Sequence, residues 1–322
     1  MMEFADLHVH SCRSDGKDSV RELIDNAASI PGLKAIALAD HDILPPTEIK
    51  IDDAHVSPCQ YAAKKGLLFL PSIEISCDTF VDDVHIIGLF CDFQTERMRR
   101  LEETIKQSKK DGYRKLCELL QKRGIDVSWD YVIETTGCDP EYIQRKHIFE
   151  CIASKGYTKD WKEAKLLVRD DPTLNVRRDK PDPLDMIRLI HDSRGVAVLA
   201  HPFLIDEDIP SRNMCRSDYI NMLIEHGLDG MEADYPYYKT SYKGMHSVDE
   251  LAGFVLRKYA PNLKFISGGS DYHGEQPGKN PNARMLGDGR VAYRYFLKMI
   301  LPLGSHAIAS EVTQMLKMRK GS

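Results

Sequence analysis

The stretch ADLHVHSCRSDGKDS, residues 5–19, places Asp6, His8, His10 and Asp15 within ten consecutive positions. Phe4, Ala5, Leu7 and Val9 give its first half the apolar content of a strand. Side chains at i and i+2 of a strand share a face, so His8 and His10 can reach one ion. The second half is a polar loop that runs into Ser19-Val20-Arg21-Glu22, where Ser19 and Glu22 have the spacing of a capping box. Strand, loop and capped helix follow one another, and the loop is either a polar turn rich in His and Asp or part of a site.

Six further apolar runs recur along the chain: LKAIALAD (33–40), LLFLPSIEIS (67–76), VHIIGLF (84–90), GVAVLAHP (195–202), LDGMEADYP (228–236) and LKFISGG (263–269). They are mostly continuous in apolar residues, as strands buried on both faces of a parallel sheet are. Helical patterns lie between them; Asp182-Pro183 opens one, with Asp at the cap and Pro at the first helical position. From about Thr95 to Lys180 no run reads as a strand. RMRRLEETIKQSKKDGYRKLCELLQKRG reads as one long charged helix ending at Gly124, and WDYVIETTG, KHIFECIASKG and TKDWKEAKLLVRDD as shorter ones. The expected organisation is an α/β body in two parts, residues 1–95 and 183–322, with a helical insertion domain at 96–182. The tail MLKMRKGS reads as a frayed helix end.

With 322 residues, 42% of them hydrophobic, the chain can bury a large core, and a formal charge of −5 argues against avid binding to nucleic acid or an anionic membrane. No apolar stretch reaches the roughly 18–20 residues of a membrane span, and no export signal is evident, so a cytoplasmic location is expected. The eight cysteines include no C-x-x-C pair and are expected as reduced thiols. Cys12 and Cys77 lie beside candidate ligands but read as small buried fillers.

The His and acidic residues fall at the edges of the runs. His8 and His10 end the first, Asp40-His41-Asp42 the second and Glu74 the third. His201-Pro202 ends the fifth, and the seventh leads into Ser270-Asp271-Tyr272-His273. In a parallel barrel the carboxyl ends of the strands share one rim, where active sites are built. His85 starts its run, and a hairpin-like return through residues 77–83 would bring it back beside Glu74. The set is His8, His10, Asp15, His41, Glu74, His85, His201, Asp271 and His273, which takes in six of the twelve histidines. A single histidine in an apolar run is ordinarily core. Nine converging polar residues are too costly to bury unless they hold something. Mixed imidazole and carboxylate donors suit Zn, Mn or Fe, and this many suit two or three ions. Two ions about 3.5–4 Å apart can share a hydroxide for in-line attack at phosphorus.

These motifs, Asp6-x-His8-x-His10-Ser11 with Ser14-Asp15-Gly16, Ala39-Asp40-His41-Asp42, Glu74-Ile75-Ser76 with His85, Ala200-His201-Pro202 and Gly269-Ser270-Asp271-Tyr272-His273-Gly274, resemble the polymerase and histidinol phosphatase (PHP) family. The likeness covers residues 4–92 and about 183–290. It implies a distorted (β/α)7 barrel, TIM-barrel-like, whose two- or three-metal centre hydrolyses phosphoesters. The helical insertion resembles the branch acting on small phosphorylated nucleosides and sugars. Carried over by position, His8, His10 and Asp271 would hold a first metal and Glu74 would bridge to a second, completed by His85 and His201. Asp15, His41 and His273 would hold a third. The expected ions are Mn²⁺, with Zn²⁺ or Fe²⁺ as alternatives. Asp40 and Asp42, flanking His41, are expected to orient imidazoles.

The resemblance also bears on the insertion. Gln144-Arg145-Lys146-His147 matches the family's Gly-Arg-Pro-His at Arg145 and His147 and departs from it at Gln144 and Lys146. Arg145 is expected to clamp a phosphate, and His147 to orient it or donate a proton. Arg13 is a further phosphate candidate, while Arg177-Arg178, Lys180 and Lys279 read as solvated loop positions. Tyr235-Pro236-Tyr237-Tyr238 resembles a Tyr-Pro-x-His segment with Tyr238 where His is usual.

The leading expectation is a phosphoesterase (EC 3.1) for a small-molecule phosphate ester, with no membrane and no stable nucleic-acid partner. Phosphomonoester, 3′,5′-bisphosphate and cyclic phosphate all stay open. Glu74, Asp271, His201 and His147 are the residues expected to carry catalysis. The alternatives are a nuclease or proofreading-type module, a histidinol phosphatase, which the large insertion disfavours, and a noncatalytic metal-binding protein.

Overall fold

In the computed structural model, which describes residues 2–137, 139–174 and 176–304, the continuous apolar runs do become buried strands. They are β1 (Phe4–Val9), β2 (Leu33–Leu38), β3 (Leu68–Ser76), β4 (His85–Leu89), β5 (Val196–Leu199), β6 (Gly230–Asp234) and β7 (Phe265–Gly268), and a short strand outside the runs, β8 (Val291–Ala292), joins them. The sheet order is β7-β6-β5-β4-β3-β2-β1-β8. A parallel bridge from Val9 to Tyr272, with the Asp271 amide donating to the His8 carbonyl at 2.9 Å or less, brings the residues after β7 back against β1. The sheet is thereby a nearly closed, barrel-like ring, the distorted barrel the resemblance implies.

One of the seven runs departs from the all-parallel expectation, and the short β8 is antiparallel to β1 as well. β4 is antiparallel to both β3 and β5, with Ser76 opposite His85 and Ile86 opposite Leu199. Continuous apolar content reports burial on both faces but not direction, so the run alone could not reveal this. The reversal is the hairpin-like return that sets His85 at the same rim as Glu74.

Residues drawn from strands all round the ring, among them Ala5, Leu7, Ala37, Leu70, Ile87, Val198 and Phe265, form the inner core. Tyr293, Phe296 and Ile300 pack into the same cluster. An outer core joins Val9, Ile36, Leu38 and Phe69 to the helix α1 (Val20–Ser29). Leu7 and Val9, two positions apart, fall in different clusters because the β1–β2 register shifts between Asp6 and Val9. This bulge breaks the simple alternation of β1 just where its imidazoles begin.

Helix starts follow the local signals. Ser19 and Glu22 close a capping box on α1, and Asp182 accepts from the amides of Leu184 and Asp185 ahead of Pro183. Contacts divide the chain into one unit of Met1–Arg99 with Pro181–Ser322 and a second of Arg100–Lys180. The second unit contains most of α2 (Glu96–Lys122) and all of α3 (Trp129–Thr136), α4 (Arg145–Ser154) and α5 (Trp161–Asp170), with no strand among its described residues. It has its own core, including Leu116, Leu120, Trp129, Phe149, Ile152 and Val168. The tail at 315–322 lies outside the described residues.

The seven described cysteines form no disulfide with one another; Cys138 lies outside the described residues. Cys77 is buried as expected, but Cys12 is exposed and fills nothing, because the loop after β1 turns it outward. Neither joins a candidate metal group. No helix among the described residues is long and apolar enough to cross a membrane.

Away from the rim, Asp229 is fully buried and accepts from the Ala197 amide at 2.8 Å, His191 Nε2 at 2.7 Å and Lys264 Nζ at 2.6 Å. Burial raises its pKa, but His191, Lys264 and the amide outweigh it and hold the carboxyl below its ordinary value. A depressed folded pKa gives stability that is present above the unfolded value near 3.9 and is lost as pH falls through the folded one. Asp229→Asn is therefore expected to cost about 2 kcal/mol at pH 7. Melting curves from pH 7 to pH 3 should show the gap to wild type closing at the acid end.

Candidate metal centre

The rim residues come from different strand ends, and together they make a nest of imidazoles and carboxylates. β1 delivers His8 and His10, the segment after β2 gives His41, β3 gives Glu74 and β4 gives His85. His201 follows β5 in a left-handed conformation (φ 30°), and Asp271, with φ 52°, follows β7. The rings of His10 and His273 stack with centroids 4.3 Å apart, His10 and His41 are 4.6 Å apart, and His85 and His201 4.9 Å.

Glu74 sits in the middle and divides its two oxygens. Oε1 faces His85 Nδ1 at 2.9 Å and His201 Nε2 at 3.1 Å. Oε2 faces His41 Nδ1 at 2.9 Å, His8 Nε2 at 3.3 Å and His10 Nε2 at 3.5 Å. Asp271 Oδ1 lies 3.0 Å from His10 Nε2 and 3.7 Å from His8 Nε2. Asp15 Oδ1 lies 3.0 Å from His273 Nε2.

The donor chemistry tests whether cations fit. His8 Nδ1 is 3.0 Å from the Glu232 carboxylate, which only accepts, so Nδ1 keeps its proton and Nε2 is the atom left to give up a proton and offer a lone pair to a cation. That lone pair looks across 3.0 Å at His10 Nε2 and toward Glu74 Oε2 and Asp271 Oδ1. Both of those buried oxygens accept no hydrogen bond of acceptable geometry. Ligands about 2.1 Å from a common ion stand roughly 3–3.5 Å apart, so converging acceptors at these spacings suit a divalent cation. Three groups offer ligand atoms all within 4.8 Å of one another: His8-His10-Asp271, His41-Glu74-His85 and His10-Asp15-His41-His273.

Each nominated ligand is therefore at the rim, but the grouping is less partitioned than the carried-over scheme. His10 is shared by two groups, because its ring is stacked between His273 and His41. His41 likewise joins both the Glu74 group and the Asp15 group.

Burial and charge set the protonation. His10 is pushed down to about 3 by burial and by His273, with Asp271 opposing. His8 and His41 go the other way: burial disfavours their charge, but Glu74 outweighs it, helped at His8 by Glu232 and Asp271 and at His41 by Asp15. His8 is held well above the ordinary value and His41 is raised to about 9. Glu74, Asp271 and Asp15 are held well below the carboxylate range despite burial, Glu74 chiefly by His41 and His8, Asp271 by Arg284 and His8, and Asp15 by His273 and His41.

The aspartates beside His41 hold neighbouring loops. Asp40 accepts from the Ser11 amide and hydroxyl and from Ser14 Oγ, and Asp42 from the Ser76 amide and hydroxyl. Neighbouring serines reach these oxygens, so both aspartates pin loops. One imidazole partner is Glu232, buried in β6, which also accepts the His201 amide at 2.7 Å. Sequence reading passed it over, although an acidic residue inside the run LDGMEADYP was a signal. Glu232→Gln puts an amide N–H group against one of those donors. The expected loss is roughly 10–100-fold in metal affinity or turnover, with the fold retained; equilibrium dialysis with Mn²⁺ and circular dichroism check it.

Two more residues reach the centre, Tyr235 from the segment resembling Tyr-Pro-x-His and Arg284, which sequence reading passed over. Tyr235, fully buried, donates to Asp271 Oδ2 at 2.7 Å, and Arg284 contacts the same oxygen. Tyr237 is buried against Phe203, while Tyr238, at the family's His position, is 67% exposed. Arg13 spends one guanidinium nitrogen on the Leu44 carbonyl at 3.2 Å. Arg145 and His147 begin α4 in the second unit, where the Gln144 amide donates to His147 Nδ1 at 3.0 Å and Arg145 lies over Phe149.

Comparison with known proteins agrees with this picture. The chain is 29% identical over 272 residues to a 3′,5′-nucleoside bisphosphate phosphatase of Chromobacterium violaceum, covering 83% of this chain and 86% of that one. It is 25% identical over 276 residues to a phosphoribosyl 1,2-cyclic phosphate 1,2-diphosphodiesterase of Eggerthella lenta, covering 84% and 94%. A solved structure of an amidohydrolase from Chromobacterium violaceum, with bound sulfate and no metal, matches with a TM-score of 0.66 at 26% identity over 87% of this chain and 93% of that one. Residues 6–162 match the family model described as the PHP domain, the family that the motifs of the opening strand and of the segments around His41, Glu74 and His85 resemble.

Proposed function

We propose that this chain is a divalent-metal-dependent phosphoester hydrolase acting on a small phosphorylated nucleoside or sugar. The observation that carries the reading is Glu74, a buried carboxylate with separate imidazole sets against its two oxygens. His8, His10 and Asp271 would hold one ion, His85 and His201 with Glu74 another, and Asp15, His41 and His273 a third; Mn²⁺ is the proposed metal. Bound there, divalent ions supply Lewis-acid stabilisation of phosphoryl oxygens and lower the pKa of water.

The chain's own residues do the rest. Glu232 fixes the His8 ring through Nδ1, and buried walls keep bulk water from screening the charges. His41, His85 and Asp15 are the part-exposed members, at 19, 16 and 16% of their side chains, and mark the side open to a phosphate. Arg13 is the proposed phosphate contact on this unit. Arg145 and His147 are assigned to phosphate by resemblance alone.

Substrate class follows from what the relatives share. The two relatives named above act on a nucleoside bisphosphate and a phosphoribosyl cyclic phosphate, and sulfate, bound in the solved relative, is a tetrahedral oxyanion as phosphate is. The test is a phosphate-release screen with Mn²⁺ over nucleoside 3′,5′-bisphosphates, ribose cyclic phosphates, mononucleotides, histidinol phosphate and a 5′-phosphorylated oligonucleotide. Turnover of the ribose phosphates that a chelator abolishes supports the reading. Activity confined to the oligonucleotide or to histidinol phosphate would replace it, and no turnover by a metal-loaded protein would end it.

A further inference from the structure

Asp271 treats its two oxygens unequally. Oδ1 faces His10 Nε2 at 3.0 Å and His8 Nε2 at 3.7 Å, and it accepts no hydrogen bond of acceptable geometry. Oδ2 is taken up by donors: the Tyr235 hydroxyl at 2.7 Å and Arg284 Nη1, which itself lies 3.1 Å from that hydroxyl. The second guanidinium nitrogen, Nη2, lies 3.0 Å from His273 Nδ1. His273 Nδ1 also lies 2.8 Å from the Asp271 carbonyl, which only accepts, so the guanidinium bonds the carboxylate and lies against the His273 ring.

The loop carrying Arg284 is fastened down. Lys239 Nζ reaches the Ala283 carbonyl at 2.9 Å and Asp288 Oδ2 at 2.7 Å. The Gly287 amide donates to Asp6 Oδ2 at 2.8 Å, and the same aspartate takes the Ser270 amide and hydroxyl at 2.9 and 2.6 Å. Arg284 and the residue before Asp271 are thus braced through one buried carboxylate. Asp271 itself, at φ 52°, has a backbone that an L-residue adopts only under such constraint.

We propose that Arg284, with Tyr235, is a positioning residue of the metal centre: it occupies Oδ2 of Asp271 so that the carboxylate meets a cation through Oδ1 alone. The inference rests on the metal-centre reading above and names residues outside its motifs. A guanidinium acting only as a charge would repel a nearby cation, and its removal would tighten metal binding. A guanidinium acting as a clamp does the opposite, because an unheld carboxylate rotates away from the imidazoles. The sign of the change separates the two.

The experiment uses the full chain with Mn²⁺ as the probe, in the variants Arg284→Met, Arg284→Lys and Tyr235→Phe. Mn²⁺ affinity is read by equilibrium dialysis, the fold by circular dichroism, and kcat and KM with p-nitrophenyl phosphate. Arg284→Met is expected to weaken Mn²⁺ binding roughly tenfold or more and to lower kcat similarly, with KM little changed. Arg284→Lys should recover part of both, since an ammonium can reach Oδ2 but cannot also lie against the His273 ring, and Tyr235→Phe should lose less than Arg284→Met. Tighter or unchanged Mn²⁺ binding in a folded Arg284→Met overturns the proposal. If that variant does not fold, wild-type Mn²⁺ affinity in both Arg284→Lys and Tyr235→Phe overturns it equally. A wild-type protein that binds Mn²⁺ but hydrolyses nothing defeats the phosphoesterase reading, while its affinities still decide this one.

Discussion

Glu74→Gln is expected to reduce turnover on the order of 10³-fold or more, because the metal stabilisation it organises amounts to several kcal/mol and each 1.4 kcal/mol is a factor of ten. The substitution keeps the shape of the side chain but turns one acceptor into a donor. Whichever way the amide lies, an N–H group points at His85 and His201 or at His8 and His41. One of the two proposed cation positions therefore loses its carboxylate oxygen, and the link between the two sets is broken in one step. Metal analysis of the purified variant should show reduced occupancy, and circular dichroism should show the fold kept. Full metal content with full turnover would remove Glu74 from the centre. The reverse result, metal kept and turnover lost, would make Glu74 a participant in the reaction but not a necessary ligand.

The second large effect is steric. A β-carbon on Gly269 would stand 2.3 Å from His8 Cβ and 2.7 Å from the His8 amide nitrogen, so the crowding is against backbone that cannot swing away. Gly269 lies where the chain after β7 comes against β1, and its hydrogen is what lets the two approach. Gly269→Ala is expected to cost about 2–3 kcal/mol through overpacking, and to displace His8 as it does so. Gly66→Ala is the control. Nothing lies within 4 Å of a β-carbon there, and only its φ of +74° resists the change. A loss of about 1 kcal/mol is expected from conformation alone. Thermal unfolding of both variants, with Mn²⁺ titrations, checks the contrast. Equal melting temperatures would mean that the contact between β7 and β1 is looser than these distances require.

Much of this was legible before any coordinates. Metal-type side chains at the ends of apolar runs announce themselves, because charge and imidazole in such places are costly unless shared. His8, His10, Glu74 and Asp271 could be named for that reason, and Ser19 and Asp182 because capping chemistry is local. What stayed hidden was whatever depends on a partner distant in sequence. Glu232 looked like one acidic residue in a strand, and only the packing of β6 beside β5 and β7 shows that it faces His8. Arg284 sits in a loop of Gly, Pro and Asn with no periodicity to read. The serines held by Asp40 and Asp42 were not legible, because adjacency to His41 says nothing about which neighbours reach those oxygens. The direction of β4 was invisible in composition, although His85 needed it.

The closure of the ring carries one more consequence, for the order in which the protein comes into being. Asp6 and Ser270, bonded through both amide and hydroxyl, are 264 residues apart. A chain growing at roughly 5–20 residues per second exposes its first strand for about 13–50 seconds before the partner is made. For most of that interval His8 and His10 have neither Asp271 nor Glu232 to complete or orient them. Contacts of such long range close slowly even in the finished chain. The nascent protein is therefore a poor chelator, and cation loading belongs to the final stage of folding, when the last strand seals against the first.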